Sequence, residues 1–194
     1  MQTSSCAGFD AICRTDVAEA GGKGANLGDM IQADLPIPPG FVICAGAYRR
    51  MMEASGIEAR ISDVLCDVDF HKSEQLREAE RIIREMIEGV SIASDLRTAI
   101  LEHYRELGDD PPVAVRSSAT AEDLVGASFA GQQETLLNVE GEEELLDAVR
   151  KCWSSLYTAQ AIFYRRERGF ANVRVSMAVV VQRMIDAEKS GVVF

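Results

Sequence analysis

The sequence predicts an α+β fold, an antiparallel or mixed sheet flanked by helices, on the strength of two patterns. Residues 72–108 carry apolar side chains at helical spacing, with polar and acidic residues between them, which is typical of amphipathic helices. Residues 113–115, 135–139 and 173–185 are short, apolar and rich in β-branched side chains, which favours strands. We therefore expect several helices packed against one sheet.

The first 110 residues are predicted to be mainly helical. The stretch EAGGKGANLGDMIQAD indicates a glycine turn at Gly21 and Gly22 that leads into a helix. Prolines keep residues 35–40 extended, and residues 41–44 are predicted as a short buried strand. Helices are expected over 45–54, with a stop at Gly56, over 72–89, with a stop at Gly89, and over 94–108, with Ser94 as the N-cap. A DDPP linker follows at 109–112.

The pattern changes after this linker. A loop rich in small residues lies between the strands predicted at 113–115 and 135–139. One long amphipathic helix is expected over 141–169, with Phe163 on its apolar face, and further strands are expected over 173–185 and 190–194. We therefore expect two parts, a helical one over 1–110 and an α+β one over 111–194. The last predicted strand has no natural end, as in a piece of a longer protein.

Composition excludes several classes of partner. The 194 residues carry a formal net charge of −11 and a pI of about 4.7, so neither nucleic acid nor an anionic membrane is an expected partner. No apolar run is long enough to span a bilayer, and the N-terminus does not resemble a signal peptide. Five scattered cysteines without a C-x-x-C pair favour reduced thiols and a cytoplasmic protein.

Arg116 is the first candidate for chemistry. It follows three apolar residues and precedes Ser117 and Ser118, which places a guanidinium at the end of a predicted buried strand. Arginine pairs bidentately with phosphate oxygens, and ligands of α/β folds bind at strand ends. The alternative is an ion pair with Glu122 or Asp123 in its own turn.

Three further positions are candidates for anion or nucleotide binding. Gly131, in SFAGQQET, permits close backbone approach to a ligand, whereas this motif taken alone favours a plain glycine hairpin between two strands. Lys23 lies between glycines at a predicted helix start, where anions are favoured, and the alternative is a solvated lysine. Gln182 leaves a strand of valines and can face an adenine ring or solvent. His71 and His103 have no neighbouring nucleophile and no metal-ligand spacing.

Taken together, these motifs carry a resemblance to a known family. The series GGKGANLGDM, PIPPGFVICAGAYR, VAVRSSATAEDLVGASFAGQQETLLNV and AVVVQRMIDAEKSGVVF closely resembles the nucleotide-binding region of phosphoenolpyruvate synthases (pyruvate, water dikinases). Pyruvate phosphate dikinase and rifampin phosphotransferase share this region. The resemblance begins near Asp16 and implies the N-terminal part of an ATP-grasp domain, in which two α+β lobes clamp ATP. The second lobe is expected to be missing here.

The resemblance also implies roles for individual residues. Lys23 and Arg116 match the catalytic cations that contact the ATP phosphates. Gly131 and Thr135 match the loop over the triphosphate, and Gln182 matches the strand beside the adenine edge. The cofactors implied are ATP and Mg²⁺, whose acidic ligands are expected in the missing lobe, so that no metal ligand is assigned in this chain.

The implied reaction converts ATP, pyruvate and water to AMP, phosphoenolpyruvate and phosphate through a phosphohistidine on another domain. Neither histidine here has that context, so pyruvate is expected to meet only domains absent from this chain, and the chain alone is expected to be inactive. Two alternatives stay open: part of a rifampin phosphotransferase or pyruvate phosphate dikinase, and a non-catalytic nucleotide-binding or regulatory protein. An exposed apolar lobe face is expected to favour dimers.

Overall fold

The computed structural model of the chain describes residues 5–120, 134–167 and 175–191. Within these ranges there are five strands: β1 (Cys6–Gly8), β2 (Gly40–Ile43), β3 (Val113–Ala119), β4 (Thr135–Val139) and β5 (Met177–Arg183). They also contain seven α-helices: α1 (Val17–Gln32), α2 (Ala45–Ser55), α3 (Ile57–Cys66), α4 (Ser73–Glu88), α5 (Ser94–Glu106), α6 (Glu142–Ser154) and α7 (Ala159–Glu167). Short 3₁₀ turns cover Phe9–Ala11, Arg14–Asp16 and Ser155–Tyr157.

The five strands form one sheet in the order β1-β2-β5-β3-β4, and every neighbouring pair is antiparallel. The centre is β5, which pairs Val181 with Phe41 of β2 on one side and with Val115 of β3 on the other. Three consecutive valines, at 179–181, suit this fully buried position because β-branched side chains pack well on a pleated surface. The α+β prediction is confirmed.

The two faces of the sheet are covered unequally. On one face, Val115 and Val179 belong to a large core shared with α2 to α7, which contains Ile83, Ile100 and Trp153. On the other face, Val42 and Val180 belong to a smaller core, to which α1 and the 3₁₀ turn at Phe9–Ala11 contribute. Among the described helices, α1 is therefore the main cover of the second face, with a contribution from Ala45 at the start of α2, and that face carries the candidate site described below.

Strands from both sides of residue 110 share this sheet, since β1 and β2 precede it and β3 to β5 follow it. The residues at 109–112 connect the end of α5 to the start of β3. The division into parts at 1–110 and 111–194 stays a prediction about how the chain folds.

The prediction of a single helix over 141–169 is wrong. Helix α6 ends at Ser154, a 3₁₀ turn follows, and α7 begins at Ala159. Hydroxyl groups cause this break: Ser154 donates to the Lys151 carbonyl at 3.0 Å, and Ser155 donates to the Cys152 carbonyl at 2.6 Å. Such bonds compete with the helical backbone ladder. Phe163 consequently leaves the apolar face expected for it and is 38% exposed.

Two elements were not anticipated from the sequence. Strand β1 has three residues and adds an edge to β2, while α3 follows α2 after one left-handed residue, Gly56, with φ 61°. Ser94, expected as the N-cap of α5, is instead its first residue, and Ala93 is the cap. The stops at Gly56 and Gly89 are confirmed.

Candidate functional site

Arg116 lies in the middle of β3, not at a strand end as the sequence suggested. The strand continues through Ser117 and Ser118, which are fully buried and pair with Val179 and Ala178 of β5. Small hydroxylated residues are tolerated at these positions because their polar atoms find partners: both hydroxyls form hydrogen bonds to backbone carbonyls. The guanidinium therefore projects from a sheet face.

That face is the one covered by α1. Arg116 pairs with Val180, which belongs to the smaller core, and directly opposed residues of antiparallel strands project on the same side. Val115 projects the other way, into the large core. Arg116 is half-buried, so its stem packs while its charged end stays accessible. Glu122 and Asp123, the alternative ion-pair partners, lie outside the described residues.

Thr135 is the partner of Arg116 on β4, so the two residues are neighbours on one face. Thr135 is exposed. The residue before it is held firmly, because the Glu134 carbonyl accepts hydrogen bonds from both the Ser117 N–H and the Ser117 hydroxyl, each at 3.0 Å. Gly131, which was predicted to contact the triphosphate, lies outside the described residues.

Gln182 lies on the same face two positions along β5 from Val180. It pairs with Ala114 of β3 and with Gly40 of β2. Its side-chain amide donates to the Pro38 carbonyl at 3.1 Å, which fixes the half-buried side chain beside the entry to β2. Arg116, Thr135 and Gln182 thus lie on three adjacent strands of one sheet face.

Lys23 joins this group through a break in α1. The helix is interrupted at Gly21, where φ is 66° and ψ is 170°, so the predicted glycine turn is confirmed. A second helical segment starts directly after it, with Lys23 in its first turn. There, the positive end of the helix dipole favours an anion. The sequence placed Lys23 at the start of the helix, whereas α1 already begins at Val17 and restarts here.

Ser118 connects the break to the sheet. Its hydroxyl accepts a hydrogen bond from the Lys23 N–H at 3.1 Å and donates one to the Ala20 carbonyl at 3.1 Å. Ser118 is two residues beyond Arg116 on β3 and projects on the same face. The lysine backbone and the arginine are therefore held by one strand.

A group of ion pairs that the sequence did not predict lies at the start of β4. Arg84 of α4 contacts Glu134 at 3.0 Å, Glu88 at 3.4 Å and Glu80 at 3.8 Å. The i, i+4 spacing of Glu80, Arg84 and Glu88 was visible in the sequence and indicates helical ion pairs. The long-range contact with Glu134 had no sequence signal.

The buried thiols offer no nucleophile to this site. Burial raises the pKa of Cys6 to about 12 and that of Cys44 to about 11, and it also raises the pKa of Cys152. A thiol is nucleophilic only as the thiolate, so these three stay protonated and inert near neutral pH. None of the five cysteines forms a disulfide bond.

His103 lies on the wrong side of the sheet to meet the candidate site. Its ring is 5.2 Å from that of Phe41, which belongs to the large core, and its Nδ1 lies 2.9 Å from the Ala99 carbonyl oxygen. His71 is exposed just before α4. Within residues 5–120, 134–167 and 175–191, no three side chains of His, Cys, Asp or Glu are grouped to hold a metal ion. No helix in those ranges is both long and apolar enough to cross a membrane.

Known proteins share this sequence closely. Residues 17–194 match the family model described as pyruvate phosphate dikinase, AMP/ATP-binding domain. The chain is 47% identical over 191 residues to a probable phosphoenolpyruvate synthase of Methanothermobacter thermautotrophicus, covering 96% of this chain and 28% of that protein. It is 48% identical over 191 residues to one of Methanocaldococcus jannaschii, covering 96% of this chain and 16% of that protein.

The phosphoenolpyruvate synthase of Pyrococcus furiosus is 38% identical over 223 residues, covering 96% of this chain and 27% of that protein. The chain therefore spans less than a third of the length of each of these relatives. The match covers every element from α1 to β5, and the chain belongs to the family of pyruvate phosphate dikinase AMP/ATP-binding domains.

Proposed function

We propose that this chain supplies the first lobe of an ATP-grasp site in a phosphoenolpyruvate synthase, and that it binds ATP on the α1 face of its sheet. The proposal rests on one observation: Arg116, Thr135 and Gln182 lie on three adjacent strands of that face, and Ser118 ties the Lys23 turn to it. Membership of an AMP/ATP-binding family supports the nucleotide.

The chemistry of these groups suits a nucleoside triphosphate. A guanidinium forms short, charge-assisted hydrogen bonds to phosphate oxygens, and the N–H groups at the start of a helix add a fixed positive end. With the Lys23 ammonium, these groups would offset the charge that develops as a phosphoryl group leaves. Gln182 offers an amide to the adenine edge, and Gly131 would let backbone N–H groups approach the triphosphate.

The remaining steps are assigned to parts of the enzyme outside this chain. The sheet separates His103 from Arg116, and His71 is an exposed residue that is distant in sequence from both Lys23 and Arg116. We therefore assign phosphoryl acceptance to a histidine elsewhere. That phosphohistidine would then phosphorylate pyruvate. Overall, ATP, pyruvate and water would give AMP, phosphoenolpyruvate and phosphate, a reaction that would serve gluconeogenesis. We assign no Mg²⁺ ligand to the described residues, since they hold no suitable acidic cluster.

The cysteines lead to a proposal about the cellular compartment. None of the five forms a disulfide bond, which favours a reducing compartment, the cytoplasm.

Exposed apolar side chains lead to a further proposal. Leu137 and Ile185 are 59% and 58% exposed. Leu137 follows Thr135 by two residues on β4, so it extends an apolar surface beside the site. This surface would be covered by a second lobe or by a second copy of the chain, and light scattering of the chain at high concentration distinguishes a dimer from a monomer.

A calorimetric titration with Mg-ATP tests the nucleotide site. Because one hydrogen bond to a charged group contributes about 1.5–3 kcal/mol, Arg116→Ala and Lys23→Ala should each weaken binding roughly tenfold or more. AMP lacks the β- and γ-phosphates, so its affinity should change less in both variants.

Arg60→Ala is the matched control, since Arg60 is an exposed arginine of α3 and should leave ATP affinity unchanged. Equal affinity in the unaltered chain and in both cation variants would contradict the proposal. A folded chain that binds no ATP would show that the site needs further parts of the longer enzyme.

A further inference from the structure

A second cavity lies on the other side of the sheet. It is bounded by α2, α3 and α7, and its volume is about 570 Å³. This volume falls within the usual range for small-molecule sites. Tyr48, Ile61 and Ile162 line it and belong to the large core, whereas Arg116 projects on the α1 face. The cavity is therefore separate from the proposed ATP site.

Part of its wall is apolar and aromatic. Ile61, Leu65 and Ile162 contribute aliphatic surface, and Tyr48 and Phe70 contribute rings. Burial raises the pKa of Tyr48 well above its usual value, so its hydroxyl stays neutral. Such walls suit a ligand with a flat, apolar body.

Two arginines of the last turn of α7 add positive charge to these walls. The Arg165 guanidinium lies 5.0 Å from the centre of the Tyr157 ring, and that of Arg166 lies 4.9 Å from the centre of the Phe70 ring. Stacking on a ring face leaves the edge N–H groups of a guanidinium directed sideways, where they can meet a planar anion.

These two arginines differ in their surroundings from the arginines that form ion pairs. Among the described residues, no carboxylate lies within 4.0 Å of either guanidinium, and the lining acids Glu53 and Glu58 are exposed. Arg49, the third arginine of the wall, is paired with Glu19. By contrast, ion pairs to carboxylates are formed by Arg81, Arg84, Arg97, Arg105 and Arg150.

The lack of a carboxylate matters because Arg165 is half-buried in the wall of the cavity, and desolvation lowers its pKa. A cation that is partly removed from water without a paired anion carries a cost, and structures generally pair such charges. A ligand anion placed at this guanidinium would supply the missing charge through a bidentate contact.

We propose that this cavity binds a small aromatic carboxylate. The carboxylate meets the guanidinium of Arg165, with Arg166 adding charge at the rim, and the ring lies against Ile61, Ile162 and Phe70. This site does not depend on the ATP site, because no residue is shared between them.

The probe pair for the test is 2-naphthoate and its neutral analogue 2-naphthalenemethanol, titrated into the chain by calorimetry. We expect naphthoate to bind and the alcohol to bind at least about tenfold more weakly, as for one lost charge-assisted hydrogen bond. The proposal would be overturned if naphthoate did not bind at millimolar concentration, or if the two probes bound with equal affinity. Both outcomes are read from the unaltered chain.

Variants then locate the anion. Arg165→Gln should weaken naphthoate binding about tenfold and leave the alcohol unchanged, while Arg60→Gln, on the exposed side of α3, should change neither. Thermal unfolding checks that the Arg165→Gln variant is folded. If it is not folded, Arg165→Lys replaces it, since lysine keeps the positive charge but cannot form the bidentate contact of a guanidinium. Naphthoate binding that depends on Arg116 and not on Arg165 would place the anion on the α1 face and overturn the proposal.

Discussion

The Ser118 hydroxyl accepts a hydrogen bond from the Lys23 N–H at 3.1 Å, across 95 residues of sequence. The same hydroxyl donates to the Ala20 carbonyl, so it bonds to backbone on both sides of the break in α1. The position of the lysine turn is therefore set by a strand, not by the helix itself. Substitutions at this contact should affect both stability and ATP binding.

Ser118→Ala should lower the free energy of unfolding by about 1–3 kcal/mol, because it leaves two buried backbone groups without a partner. Urea unfolding measures this change. Ser73→Ala, at the exposed start of α4, is the control and should change stability by less than about 0.5 kcal/mol. Similar values for the two variants would show that the Ser118 contact contributes little.

Gly21→Ala should be more damaging than Gly56→Ala, although both glycines have φ near 60°. An added Cβ at Gly21 would lie 2.7 Å from the Ser118 carbonyl carbon and closer still to its oxygens, whereas at Gly56 it would meet nothing within 4 Å. At Gly56 the left-handed conformation alone costs about 1–2 kcal/mol. At Gly21, where ψ is 170°, the backbone lies in a region that is essentially limited to glycine, and the collision adds to that cost. Equal melting temperatures for the two variants would contradict the close approach.

Arg84→Met should destabilise the chain by about 1–3 kcal/mol, since it leaves Glu80, Glu88 and Glu134 close together, partly buried and without their shared cation. Because Glu134 directly precedes Thr135, ATP affinity should also fall. Arg81→Met is the matched control: its pairs with Glu78 and Glu85 are solvent-exposed, so its effect should be much smaller. Urea unfolding and ATP titration of both variants make the comparison.

Stability should fall as pH rises from about 10, where an unfolded tyrosine ionises, to about 12. Burial, with a hydrogen bond to Asp110, raises the pKa of Tyr104 to about 12. The unfolded state therefore loses its proton first, so the stabilisation is complete below pH 10 and is lost as pH rises through 12. Tyr104→Phe should flatten this slope in urea unfolding curves, and an unchanged slope would show that other groups, such as Cys6 and Cys44, cause it.

The sequence was most informative where a pattern was local. The apolar spacing of α4 and the glycine stop of α2 at Gly56 predicted elements close to those in the structure, because each depends on neighbours along the chain. The break at Ser154 was missed because side-chain bonds to helix carbonyls overrode a continuous apolar pattern.

The candidate site was predictable in its residues but not in its arrangement. Arg116 was expected at a strand end, yet pairing of Ser117 and Ser118 with β5 extends the strand past it. Which face the arginine occupies depends on the register with β5, and no local pattern specifies that register. The contact of Arg84 with Glu134 joins residues 50 positions apart and depends on the packing of α4 beside β4.

The central position of β5 has a consequence for how the polypeptide reaches its native state. Strands β2 and β3 do not pair with each other; both pair with a strand that is synthesised after them. Until the ribosome has released residues 177–183, these strands keep unsatisfied edges that can associate with other chains. Folding of the sheet should therefore be slow and should be completed only after residues 177–183 have left the ribosome, since its decisive contacts have high sequence separation, and nascent chains that stop before residue 177 should aggregate.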